Sequence, residues 1–311
     1  MENLNKTLVR TFILLGFSNS PGLQVVFFLL FFLMYLVTLS LNLLLIIAVR
    51  LSSQLHTPMY FFLCNLSVID IFFSTTIVPK MLTNTLSQDK TISFMGCAAQ
   101  MYFHLALGAT ECLILAVMAY DRYIAICKPL QYNNIINKSV CIGLSAASWS
   151  MSFLNSVVHA VFTFQLPYCR SNLVNHFFCE MPPLFRLSCA DTWFNEVAVY
   201  ISGGLIASCS FMLTLLSYVH IISTILKNGC SKGQHKAFST CASHLVVVSL
   251  YYGTIMFMYL RPRSSYFPDQ DRVISIFYTV VTPMLNPMIY SIRNKDIKVT
   301  IRKMLSKLAH L

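Results

Sequence analysis

His104, Gly108, Glu111, Leu115, Met118 and Arg122 recur at intervals of three and four residues, the spacing that puts side chains on one face of an α-helix. At 1.5 Å per residue, His104 and Arg122 stand about 27 Å apart along the axis. One stripe therefore carries an imidazole near one end, a carboxyl in the middle and an Asp121-Arg122 pair at the other end. An aspartate beside an arginine can hold the guanidinium in one rotamer, and its release frees a five-donor fork. Asp70 lies at a similar depth in another apolar stretch. Ionisable groups are costly there, so Asp70 and Glu111 are expected to face an interior. Either they join a hydrogen-bond network, or they hold a sodium ion together with Asn286.

The elements that must position these groups are long and apolar. Of 311 residues, 56% are hydrophobic and only 11% charged, with a mean hydropathy of +0.66. A soluble domain carries about 25% charged residues. A helix needs roughly 20 apolar residues to cross a bilayer. Seven stretches meet that demand, at about Leu23–Val49, Thr57–Pro79, Ile92–Ala119, Ser139–Phe164, Val197–Leu226, Ala237–Leu260 and Val273–Ile292. Asp70 and Glu111 are the only charged side chains within them. The first run starts late and is too long for a signal-peptide core, so it reads as an uncleaved span. The organisation expected is an amino terminus over 1–22, a helical bundle over 23–292 and a tail over 293–311. In the tail, Ile297, Ile301, Met304, Leu305 and Leu308 form an apolar stripe among Lys295, Lys298, Arg302, Lys303 and Lys307. That pattern predicts a short amphipathic helix on the membrane surface.

Seven spans put the termini on opposite sides. The carboxyl-terminal side holds 13 of the 22 Lys and Arg residues and only Asp121 and Asp296 as acids. The positive-inside rule assigns that side to the cytoplasm and the amino terminus to the outside. Asn5-Lys6-Thr7 is then an outer glycosylation sequon. Cys97, Cys169, Cys179 and Cys189 fall on the same oxidising side, where disulfides persist. Four cysteines allow three pairings; three of these lie in the loop Gln165–Asn195, which is expected to be stapled to the third span through Cys97.

Other classes fit less well. No HExxH or GxSxG string occurs, so no enzyme is expected. There is no repeat symmetry of the kind transporters show. His176, three residues before Cys179, has ligand-like spacing, but the cysteine is expected to be spent in a disulfide, leaving no metal site.

The inner end of the third span reads MAYDRYIAIC over 118–127. FILLGF stands at 12–17, LHTPMYFFL at 55–63, Ser217-Tyr218 at the end of the fifth span, KAFSTCASH at 236–244 and PMLNPMIYSIRN at 283–294. In this order, on these elements, the motifs resemble those of the rhodopsin-like G-protein-coupled receptors, and in extended form those of the tetrapod-type (class II) olfactory receptors. Thr57 would cap the second helix with Pro58 in its first turn, and Pro283 and Pro287 would kink the seventh. Two departures stand out. Leu41 precedes Asn42 where the family has glycine, and the third inner loop Asn228–Gln234 lacks its usual extra basic residues.

The resemblance implies an all-α seven-transmembrane helix bundle and a ligand pocket in its outer half, lined by His104, Leu105, Gly108, Ala109, Ser202, Ile206, Ile255, Tyr259 and Thr279. It implies a switch built from Asp121, Arg122, Tyr218, Tyr252, Asn286, Pro287 and Tyr290, with Arg122 turning from Asp121 to Tyr218 on activation. The partners would be a small volatile odorant and a stimulatory, olfactory-type G protein that raises cAMP, in the plasma membrane of olfactory sensory neuron cilia. The pocket composition suits a mostly hydrophobic molecule with one polar group. No carboxylate stands at the His104 position, so an amine ligand is not expected. The nearest rival is a related receptor for a lipid, peptide or metabolite.

Overall fold

The computed structural model describes residues 9–17, 20–169, 171–228, 232–259, 268–293 and 295–309; Asn5 lies outside them. Helices α1 (Pro21–Leu51) and α2 (Pro58–Leu86) each open on a proline, which loses nothing in a first turn where the N–H has no partner. Thr57 does occupy the position before α2, but its side chain accepts no capping bond. The start rests on Pro58 and on the backbone bond from Phe61 to the Thr57 carbonyl. Helix α3 (Phe94–Cys127) is capped by Ser93, whose Oγ accepts from the Gly96 N–H at 3.0 Å. A Cβ on Gly96 would fall 2.9 Å from that oxygen, so a larger residue there would make the serine hydroxyl shift.

A single turn, α4 (Tyr132–Ile135), leads to α5 (Lys138–Phe164), which Asn137 caps by accepting from the Val140 N–H. After a long loop holding the short α6 (Met181–Phe185) come α7 (Trp193–Asn228) and α8 (Lys232–Tyr259). The last crossing is composite: α9 (Pro268–Ile276), a π-helical turn over Phe277–Val281, and α10 (Thr282–Arg293). Six of these passages are long and apolar enough to cross a membrane, and α8 adds the shorter apolar stretch Cys241–Met256. The chain is a seven-helix membrane bundle. Large apolar side chains such as Leu29 and Leu33 on α1, Leu154 and Phe162 on α5, and Leu205 and Val219 on α7 point outward, as hydrocarbon surroundings favour.

Several helices outrun the apolar stretches that announced them, α2 and α3 by the most. α2 continues through Pro79 to Leu86, and α3 continues past Ala119 to Cys127. The hydropathy window marks where lipid ends, not where hydrogen bonding ends.

The all-α expectation misses a small sheet. Strand β1 (Thr11–Leu14) lies between β2 (Thr91–Ser93), antiparallel, and β3 (Leu173–Val174), parallel. Alternation turns Phe12 and Leu14 to one side. There they are fully buried with Ile92, Cys97, Met101, Tyr168 and Cys179. Disulfides Cys97–Cys179 and Cys169–Cys189 fix the same region and resolve the pairing that composition leaves open. This end of the bundle is the disulfide end; Arg122 marks the other.

The Asn42 position shows how the first and seventh crossings lock. Pro287 has no N–H, so the carbonyl of residue 283 loses its helical donor. Asn42 Nδ2 supplies one, donating to the Pro283 carbonyl at 3.1 Å. Beyond the bundle, α11 (Lys295–Ala309) buries Ile297 completely and Ile301 partly against the core while Lys298, Arg302 and Lys303 stay exposed. The side chains of Met304, Leu305 and Leu308 lie outside the described residues.

Candidate functional site

A cavity of about 340 Å³ opens in the disulfide-end half of the bundle, between α3, α5, α7, α8, the π turn and the loop before α6. His104, Leu105, Gly108, Ala109, Ser202, Ile206 and Ile255 all line it. Tyr259 ends α8, and its side chain lies outside the described residues. Thr279 does not reach the cavity: it is fully buried, and its hydroxyl donates to the Ser275 carbonyl at 2.6 Å. The π turn accounts for the difference. Its wider hydrogen bonding inserts a residue into the helical register, and Tyr278 fronts the cavity instead.

Sequence reasoning misses several wall residues, among them Phe73, His159, Tyr251 and Glu180. The tyrosines of α8 tie it to α3. Tyr251 Oη donates to the Gly108 carbonyl at 2.5 Å, and Tyr252 Oη to that of Cys112 at 3.2 Å. His159 Nε2 and Ser202 Oγ lie 2.6 Å apart, so the Ser202 hydroxyl is already engaged.

Glu180 reaches the cavity because its neighbour Cys179 is fixed to α3, by the disulfide and by its N–H donating to Gln100 Oε1 at 2.9 Å. Tyr278 Oη donates to Glu180 Oε1 at 3.2 Å. Glu180 Oε2 stands 3.7 Å from His176 Nε2, too far for a hydrogen bond. Burial pushes the Glu180 carboxyl up to about 7, the Tyr278 hydroxyl opposing and the Asp271 charge adding. Burial, then the charges of Arg272 and His104, pushes His176 down to about 3. The signal in sequence was position alone: Glu180 directly follows the cysteine of the staple.

Midway along the bundle, Asp70 and Glu111 converge on one amide. Asn286 Nδ2 donates to both Asp70 oxygens, at 3.0 and 3.2 Å, and approaches Glu111 Oε1 at 3.4 Å. All three residues are buried to 1% exposure, and Asn286 Oδ1 has no partner.

At the far end Arg122 donates from Nε to Asp121 Oδ2 at 2.9 Å and pairs with the same oxygen through its Nη2. Tyr132 Oη, on α4, donates to the other carboxylate oxygen at 2.7 Å. Burial and then the Asp121 charge raise the Tyr132 hydroxyl, so it stays a donor. Tyr218 is engaged elsewhere, 2.7 Å from His244 Nδ1, and the Tyr290 hydroxyl is buried without a partner. Arg122 and Tyr218 are therefore not paired in this arrangement.

Comparison with known proteins places the chain. The model of the olfactory receptor family matches residues 31–308. Mouse (Mus musculus) olfactory receptor 5AR1 is 47% identical over 307 residues, 99% of each chain. The dog (Canis lupus familiaris) olfactory receptor-like protein OLF3 is 49% identical over 98% of this chain and 96% of its own. Human (Homo sapiens) olfactory receptor 5AP2 is 48% identical over 97% of this chain and 96% of its own. These proteins are receptors of the G-protein-coupled class and not enzymes. The chain belongs to the olfactory receptor family.

Proposed function

We propose that this receptor binds a small volatile ligand in the disulfide-end cavity and, in response, activates a stimulatory, olfactory-type G protein at its Arg122 end. The observation that carries the reading is the cavity itself. Its volume is within the range of small-molecule sites, and its walls are mostly apolar with a few polar groups converging. The Arg122 end faces the cytoplasm in this reading and Asn5 the outside, where its sequon can be glycosylated. The ciliary membrane of an olfactory neuron is the expected location.

Ligand works by binding one arrangement more tightly than another. Tyr251 and Tyr252 couple the cavity wall to α8, and α8 carries His244, the partner of Tyr218. Movement of α8 away from α3 would break the Tyr218–His244 contact and free Tyr218 to take Arg122 from Asp121, with Tyr290 completing the network. Asn286, beside Pro287, connects this end to the mid-bundle carboxyls.

Those carboxyls fit a sodium ion: two acids and the unpartnered Asn286 Oδ1 offer hard oxygen donors. A bound sodium would supply positive charge between Asp70 and Glu111, favouring the arrangement that keeps them together.

The test is cAMP production in cells expressing the receptor and its G protein, screened with a diverse odorant panel. A dose-dependent response is expected. Gly108→Leu should raise the half-maximal concentration about tenfold or more, since a side chain there enters the cavity beside Phe73 and Tyr251. Unchanged dose–response curves for every agonist would remove the cavity as the binding site. Tyr132→Phe should raise basal cAMP roughly threefold or more, because Asp121 loses a charge-assisted donor that helps hold Arg122. Basal output at or below the parent's level would reject that restraint.

A further inference from the structure

The cavity has one pole with a distinct chemistry. Among its described lining residues Glu180 is the only carboxyl, and neither lysine nor arginine lines it. Glu180 is 6% exposed and is anchored through Cys179, so its position is not that of a free loop side chain. Aromatic rings line the cavity with it. Tyr278 holds its Oε1, Phe73 and Tyr278 pack on His104 at ring separations of 5.2 and 5.8 Å, and Tyr251 follows along the wall. His104 Nδ1 is buried without a partner. A single carboxyl in a wall rich in aromatic rings, with no lysine or arginine among the described lining residues, is the chemistry that recognises an ammonium group.

We propose that Glu180 is the ligand-anchoring carboxyl of this cavity, and that the cavity takes a small aliphatic amine as its cation; the proposal rests on the cavity being the odorant site. It reverses the expectation that amines are excluded. That expectation looked for an acid at the His104 position, whereas the acid arrives from the loop. The alkyl chain lies along Leu105, Ile206 and Ile255, and the ammonium donates to the Glu180 carboxylate.

The pairing makes binding depend on pH. Glu180 titrates near 7, held up by burial and by Asp271 on α9. His176 on its own loop stays uncharged down to about 3. Tyr278 from the π turn donates a hydrogen bond and His104 from α3 faces the same pole. The ammonium binds the ionised carboxylate, so amine affinity falls as pH drops through 7 and Glu180 takes up its proton. Between pH 7.5 and 5.5 the ionised fraction falls roughly 20-fold.

Purified receptor in lipid nanodiscs, assayed for direct binding of heptylamine, heptanol and heptanoic acid, tests this. Heptylamine should bind most tightly at pH 7.5, weaken roughly 20-fold at pH 5.5, and weaken about tenfold or more in Glu180→Gln, with its pH dependence gone. Heptanol should change less than about threefold throughout, which also reports an intact fold. Glu180→Asp, which keeps the charge, should retain the amine preference if Glu180→Gln loses all binding. Heptylamine binding no tighter than heptanol, or equally tight in Glu180→Gln, overturns the proposal. If agonists from the cAMP screen bind while Gly108→Leu leaves their affinity intact, the cavity assignment itself fails and takes the amine proposal with it.

Discussion

Replacing Arg122 with alanine is expected to abolish the cAMP response while leaving the receptor at the cell surface. Arg122 is at the end of a helix, 16% exposed in its side chain, and its donors go to Asp121 alone among the described contacts. Its removal leaves Asp121, 1% exposed, with Tyr132 as its remaining donor. A buried carboxylate stripped of its partner can destabilise by a few kcal/mol. The double variant Asp121→Asn/Arg122→Ala removes that carboxylate and isolates the signalling role. Both variants should reach the surface within about twofold of the parent and lose signal by about a hundredfold or more, the scale of a missing charge-assisted contact to a partner. Surface labelling and cAMP measured on the same cells decide it, and full signalling from either variant rules out the switch as drawn.

The second large effect is expected from Cys97→Ser. The Cys97–Cys179 bond closes a loop of 82 residues, and Cys169–Cys189 one of 20. Chain entropy makes the longer closure worth about 1 kcal/mol more, on a typical cost of 2–5 kcal/mol for losing a native disulfide. Position adds to length. Cys97 and Cys179 are both fully buried, within the cluster formed by Phe12, Leu14 and Met101, and they carry Glu180 and Met181 into the cavity wall. Surface expression should fall about tenfold or more in Cys97→Ser and several-fold less in Cys169→Ser. Equal losses, or a greater loss from Cys169→Ser, would show that loop closure and burial do not set the cost.

What the sequence made legible follows from which forces act locally. Lipid-length apolar runs announce helices, because a bilayer leaves the backbone no other partner. The stripe from His104 to Arg122 is legible because 3.6-residue periodicity survives in a straight helix. Legibility stops where the chain leaves that rule. The resemblance places Thr279 in the pocket, and the π turn at Phe277–Val281 puts Tyr278 there instead. Glu180 sits in a segment with no periodicity, positioned by a disulfide whose partner is 82 residues away. The strand at Thr11–Leu14 is too short to signal itself, and forms only because β2 and β3 present edges to it. Asn42 reads as one polar residue in an apolar span until Pro287 is seen to leave the Pro283 carbonyl without its helical donor.

The placement of β1 between β2 and β3 sets an order of assembly. The segment at Thr11–Leu14 is synthesised before its partners at Thr91–Ser93 and Leu173–Val174, which come about 80 and 160 residues later. At a synthesis rate of roughly 5–20 residues per second, the strand waits on the order of ten seconds or more for its second neighbour. During that interval four membrane helices are inserted, and Phe12 and Leu14 have no finished core to enter. The amino-terminal strand is thus made early and docked late. A nascent chain stalled before β3 would hold the strand without its parallel partner.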